Sequence, residues 1–185
     1  MTAPLVQGDH VSCSRLGGAM RRESSRLRQR ARSLDDELGE LAAWEGRDAD
    51  AGRATIAGRA TIAAAERAMR AAADDLDEAG AALQRYATDL AESHELGRRA
   101  ELRVRGAGLL LDGTRVIEPW GPASAQEAER RRAQVPEVQA RVDLATAHVG
   151  RARGRLGREM TRLADSLSED SRAALSARLA LPPPR

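Results

Sequence analysis

The stretch Ile62-Ala-Ala-Ala-Glu-Arg-Ala-Met69-Arg-Ala-Ala-Ala-Asp-Asp-Leu76-Asp-Glu-Ala-Gly-Ala-Ala-Leu83-Gln-Arg-Tyr-Ala-Thr-Asp-Leu90 decides the fold. Its large apolar residues are seven apart, and Val104 continues the phase after an interruption at Gly97. Ala65, Ala72, Ala79, Tyr86 and Ala100 fill the alternate positions. Such spacing lines one narrow stripe of an α-helix and is the pattern of helices packed along a seam. The reading predicts a helix over 48–105, roughly 85 Å long at 1.5 Å per residue.

The same spacing extends to both sides. Cys13, Met20, Leu27, Leu34 and Leu41 share one phase, with Ala31 and Leu38 in the other, which predicts a helix over 14–44. Val135, Val142, Val149, Leu156 and Leu163, with Val138, Ala145 and Ala152, predict a third helix over 124–180. Ser124 and Glu127 form a capping box at its start, and Pro136 is expected to kink it or to mark its proper beginning.

Composition agrees with the periodicity. The 185 residues include no Phe, one Tyr and two Trp, so strand-favouring aromatics are nearly absent. Lys and Asn are also missing, a palette of GC-rich codons. Ala, Leu, Arg and Glu are strong helix formers. An aromatic content of 2% removes the usual stacking platform for single-stranded nucleic acid. Thirty Arg against 28 Asp and Glu give a formal net charge of +2, too small to imply a polyanionic partner by field alone. No run approaches the ~18 apolar residues of a membrane span, and the first 15 residues lack the features of a general secretory signal.

Between the second and third helices, apolar runs flank Asp112-Gly113 within Gly106–Pro119, a β-hairpin signal. The expected fold class is therefore all-α: three long antiparallel helices, a helical bundle at the base and a two-helix coiled coil distally, with a small β-ribbon at the tip over 106–122. The expected domain organisation is one elongated helical domain over 13–181, between a flexible N-terminus, 1–12, and a flexible tail, 182–185. If the ribbon centres near residue 114, Asp74, Asp75, Asp77 and Glu78 fall beside Arg151, Arg153 and Arg155. A tandem repeat, Gly52–Ala57 and Gly58–Ala63, lies in the second helix; six residues rotate a helix by about 600°, so Ile56 and Ile62 cannot share one seam position.

Chemistry-bearing motifs are sparse. His10, His94 and His148 fall on different segments and are not expected to converge. No metal-ligand spacing, phosphate-binding Gly-rich loop or Cys/His set is present, so no catalytic residue, metal or cofactor is assigned. Asp35-Asp36-Glu37 and Asp74-Asp75 read as solvated faces, because adjacent residues on a helix point apart. Cys13 reads as a seam thiol.

Three features bear on partners. Leu109, Leu110, Leu111, Val116, Ile117 and Trp120 put more apolar side chains at the tip than a small ribbon buries internally, which marks a candidate contact surface unless the ribbon folds onto the helices. Arg21, Arg22, Arg26, Arg28, Arg30 and Arg32 form a candidate basic patch suited to phosphate contact. The third feature is Trp44-Glu45-Gly46, a turn between two amphipathic helices.

That Trp-x-Gly turn, followed by Leu76, Ala79, Leu83, Tyr86 and Leu90, resembles the Trp-x-Gly helical-hairpin superfamily of type VII secretion over about residues 15–95. The resemblance implies that Trp44 and Gly46 are the turn residues and that the Leu/Ala seams are a partner interface. It also implies a non-enzymatic secreted protein or the partner of one, with the longer helices resembling extended actinobacterial versions. The family's Tyr-x-x-x-Asp/Glu export motif has no match, since Leu90 follows Tyr86 by four, so export would rest on a partner's signal. The expected partners are another protein or a second copy, through helical seams, in the cytoplasm or after type VII export. A generic coiled-coil scaffold and an Arg-rich nucleic-acid-binding helical protein are the alternatives.

Overall fold

The computed structural model describes residues 4–43 and 49–179. The chain is all-α apart from one small hairpin: α1 spans His10–Ala43, α2 Ala49–Gly106, β1 Leu110–Asp112, β2 Arg115–Ile117 and α3 Ala125–Leu179. Helix α1 begins four residues before the expected position because Asp9 caps it. Its carboxylate accepts the Val11 N–H at 2.9 Å and the Ser12 hydroxyl at 2.5 Å. These hydrogen bonds, first those from Ser12, also hold the Asp9 carboxyl below its ordinary range. At α3, Ser124 caps as expected, its Oγ accepting the Glu127 N–H at 3.2 Å. Glu127 turns to Arg131 instead of closing the capping box. The helix continues through Pro136, an exposed position where solvent can reach the carbonyl that proline frees.

Helix α2 ends in a Schellman motif. Gly108, at φ +67°, donates to the Arg105 carbonyl at 3.0 Å, and Leu109 donates to the Val104 carbonyl at 3.0 Å. The hairpin that follows pairs Leu110 with Ile117, Leu111 with Val116 and Asp112 with Arg115. Its two central residues are Gly113 and Thr114, not Asp112-Gly113. Only Gly113 has positive φ, +58°, which is the type II′ pattern.

The chain divides into two compact units. One combines the N-terminal residues to Ser14 with Leu83–Gly157. Its core joins Ala100 and Val104 of α2, Leu109, Val116 of β2, and Val138 and Val142 of α3. A second cluster joins Val6, Leu90 and Val149, with Tyr86 against it. The N-terminal residues, expected to be flexible through residue 12, instead pack here. Leu5 donates its N–H to Glu101 Oε1 at 2.9 Å, Val6 is buried, and the Gln7 carbonyl accepts from Arg153 at 3.0 Å.

The other unit combines Arg15–Ala82 with the chain from Arg158 onward. Here α1 and α2 are antiparallel, joined by ion pairs Arg21–Asp77 at 3.1 Å, Arg28–Asp74 at 2.9 Å and Arg70–Asp35 at 3.4 Å. They approach closely at Gly80, where a Cβ would stand 2.7 Å from the Gly17 carbonyl oxygen. Ala31, Ala73, Ala79, Ala82 and Leu163 are buried, so the contacts are lined mostly by alanine, as the composition implies.

The expected helix register is corrected. Asp74 and Asp77 pair with α1, Glu78 pairs with Arg162, and Asp75 accepts from Ser166 at 3.5 Å. Arg155 instead meets Asp89 at 2.8 Å. In the first unit, Arg103 pairs with Glu137 at 3.2 Å, whose midpoint is residue 120, six beyond the assumed centre at 114. The hairpin does not cap the helices symmetrically. It folds back so that Val116 meets Gln139, and the first turns of α3 run past the end of α2.

Candidate functional site

The six apolar residues assigned to the ribbon separate into two sets. Leu109 and Val116 are 3% and 4% exposed, within the core of their unit, and Leu111 packs against it. As contact residues Leu109 and Val116 are corrected: the ribbon folds onto the helices and spends them internally, while Leu111 stays half-buried. Ile117 is half-buried. Leu110 remains 49% exposed, and Trp120, in the loop after β2, is 97% exposed.

What folds the ribbon down is a side chain that the periodicity does not reveal. Gln139 Oε1 accepts the Val116 N–H at 2.7 Å, and its Nε2 donates to the Thr114 carbonyl at 2.9 Å. The amide thus occupies the outer edge of β2 as a neighbouring strand would, and Asp143 holds it at 2.8 Å from Nε2. On the other side of the hairpin, Glu101, Val104, Arg105, Leu109, Leu110 and Leu111 border a crevice of about 260 Å³.

The basic patch is partly consumed by the fold. Arg21 and Arg28 pair with aspartates of α2, and Arg26 pairs with Glu23 at 3.0 Å. The coupling to Asp74 raises the already high pKa of Arg28. Arg22, Arg30 and Arg32 form no ion pair with a described residue. Trp44 and Gly46, the turn residues of the resemblance, lie outside the described residues, as does the whole tail, 182–185.

Two imidazoles do converge. His10 and His94 stack edge to face with centroids 5.8 Å apart, because the N-terminal segment brings the start of α1 onto α2. The His94 Nε2 is buried without a hydrogen-bond partner. A second cluster was missed in the sequence: Ser93 Oγ lies 2.9 Å from His148 Nδ1, and His148 Nε2 is 3.7 Å from Glu92. It has the residue types of a hydrolytic triad but not the chemistry. Ser93 is fully buried and donates its proton to the Asp89 carbonyl at 2.7 Å, so it accepts from His148 and has no access to substrate. Cys13 is a half-buried free thiol. No His, Cys, Asp and Glu cluster able to hold a metal occurs among the described residues, and none of their helices is long and apolar enough to cross a membrane.

Two acids of the ribbon's unit, one on α2 and one on α3, are held ionised by arginine. Hydrogen bonds from Arg98 and then Arg99 pull the Glu95 carboxyl down to about 2. Arg141, by hydrogen bonding, and Arg103 lower Glu137 in the same direction. The ribbon region therefore presents an exposed indole at Trp120 and a crevice bordered by both apolar and charged side chains. No protein-family model, curated protein or solved structure matches the chain.

Proposed function

We propose that the chain is a non-enzymatic helical interaction protein, similar to the Trp-x-Gly proteins of type VII secretion, acting as a secreted substrate or as the partner of one. The observation that carries the interaction reading is Trp120, a side chain of the kind that dominates protein interfaces, standing 97% exposed. Leu110 adds to the apolar surface available for a partner. The secretion reading is supported by the antiparallel pairing of α1 and α2, with Trp44-x-Gly46 falling between Ala43 and Ala49.

The test is to measure solution mass for the protein alone and co-expressed with the product of a co-transcribed gene. A defined complex is expected, weakened when Leu110 and Ile117 are replaced by Ser. A complex unaffected by those replacements removes the ribbon from the interface. Appearance of the protein in culture medium only when the secretion ATPase is intact is the expected result for the export reading.

The Arg22, Arg30 and Arg32 side chains favour a second reading, phosphate contact along α1. Binding to duplex DNA with a steep loss between low and moderate salt would support it. Salt-insensitive or absent binding excludes it.

A further inference from the structure

Trp120 is a large apolar side chain left in solvent, although a Trp typically buries about 150–250 Å². The same unit carries a receiver of matching size. The half-open crevice between the end of α2 and β1 has a volume of about 260 Å³. That is below the roughly 300–1,000 Å³ of sites for drug-sized ligands, yet it is roomy enough for one indole. Leu110, Leu111 and Gly113 border it together with Glu101 and Arg105, over a floor where the nearly buried Val104 and Leu109 lie.

Two polar features suit an indole in particular. The Val116 N–H points away from β1, toward Gln139, so the Leu111–Val116 pair is the non-hydrogen-bonded kind. The N–H and C=O of Leu111 are therefore directed to the outer edge of β1, where no described residue bonds to them. That carbonyl is an acceptor for an indole N–H, which can only donate. The Arg105 guanidinium at the rim is suited to the face of the ring.

We propose that Trp120 of one copy occupies this crevice on a second copy, and reciprocally, so that two ribbons pair about a two-fold axis. The occupant is a second copy because indole and crevice belong to one chain, and a single two-fold operation fills both crevices at once. Two indoles and the walls they cover bury on the order of 800 Å², below the about 1,200 Å² of stable complexes, so the dimer is weak and concentration-dependent. The inference rests on the reading of the ribbon region as an interaction surface.

Sedimentation of the full chain up to about 1 mM tests it. The native protein is expected to dimerise, and Trp120→Ala to raise the dissociation constant at least about tenfold. Because Trp120 is almost wholly exposed, that variant keeps its helical circular dichroism. Leu110→Arg, which blocks the crevice, is expected to weaken pairing similarly. An equimolar mixture of the two variants regains association beyond either alone, since one intact indole then meets one intact crevice. The proposal is overturned by a native protein monomeric at 1 mM, by Trp120→Ala associating as tightly as native, or by a mixture no better than its components. A monomeric native chain that still binds another protein through Leu110 overturns self-pairing alone. A dimer that binds no other protein overturns the hetero-partner reading alone.

Discussion

Val6 fills the seam position that Gly97 leaves empty: its Cγ2 lies 3.1 Å from where a Cβ on Gly97 would stand. The heptad series of α2 breaks at this glycine, and the N-terminal segment supplies the missing apolar group from another part of the chain. Leu5 and Gln7 secure the segment on either side through Glu101 and Arg153.

Restoring the heptad should therefore damage the fold. Gly97→Leu is expected to displace Val6, seen as faster proteolysis within the first ten residues and a lower thermal midpoint. Val6→Ala should cost about 2 kcal/mol by chemical denaturation, the scale of a small deletion in a buried cluster. Unchanged proteolysis of Gly97→Leu would show that the segment does not depend on this vacancy.

Gln139 has a comparable role at the ribbon, and an isosteric change isolates it. Gln139→Glu keeps the acceptor for Val116 but sets a carboxylate against the Thr114 carbonyl and Asp143. It should be at least as destabilising as Gln139→Ala, about 1–3 kcal/mol at neutral pH, with faster amide exchange at Val116 in both. Equal exchange in native and variants would mean the hairpin holds its place without the amide.

Two glycines in helices should respond oppositely to alanine. At Gly80 the new Cβ would meet the Gly17 carbonyl oxygen at 2.7 Å, a backbone atom that cannot swing aside. The variant should lose about 1–3 kcal/mol despite the better helix propensity of Ala. At Gly150 nothing lies within 4 Å, so Ala should add up to about 1 kcal/mol. Denaturant midpoints of the two variants moving in the same direction would contradict the close approach of α1 and α2.

These contacts explain which parts of the structure were legible in the sequence. The seams were, because Leu76, Leu83 and Leu90 repeat over many turns and a helix has one way to present them. So was the hairpin, from its glycine between apolar runs. The register between the helices was not, because it depends on how far the ribbon folds back, where Gln139 bonds to Val116 and Thr114. The N-terminal segment was not either, since Leu5 and Val6 are too short a run to show a period. The start of α1 is set in the structure by Asp9, whose carboxylate takes the Val11 N–H and the Ser12 hydroxyl. At the candidate site, Leu109 and Val116 were indistinguishable from Leu110 by type alone; only the fold-back separates buried from exposed.

The Glu95 clamp makes a pH prediction with a definite sign. Hydrogen bonds from Arg98 and Arg99 lower its carboxyl from an ordinary 4.5 to about 2 in the folded chain. A depressed folded value means that the native state favours the carboxylate, so its contribution is fully present above pH 4.5 and is lost as pH falls toward 2. The side chain is exposed, so the effect should be small and should shrink further in high salt. NMR titration of the Glu95 side-chain carbons should give a midpoint near 2 at low ionic strength. In Glu95→Gln the fall in stability over that interval should be shallower than in the native protein. A native midpoint near the ordinary value of 4.5 would mean that the two guanidinium contacts do not persist in solution.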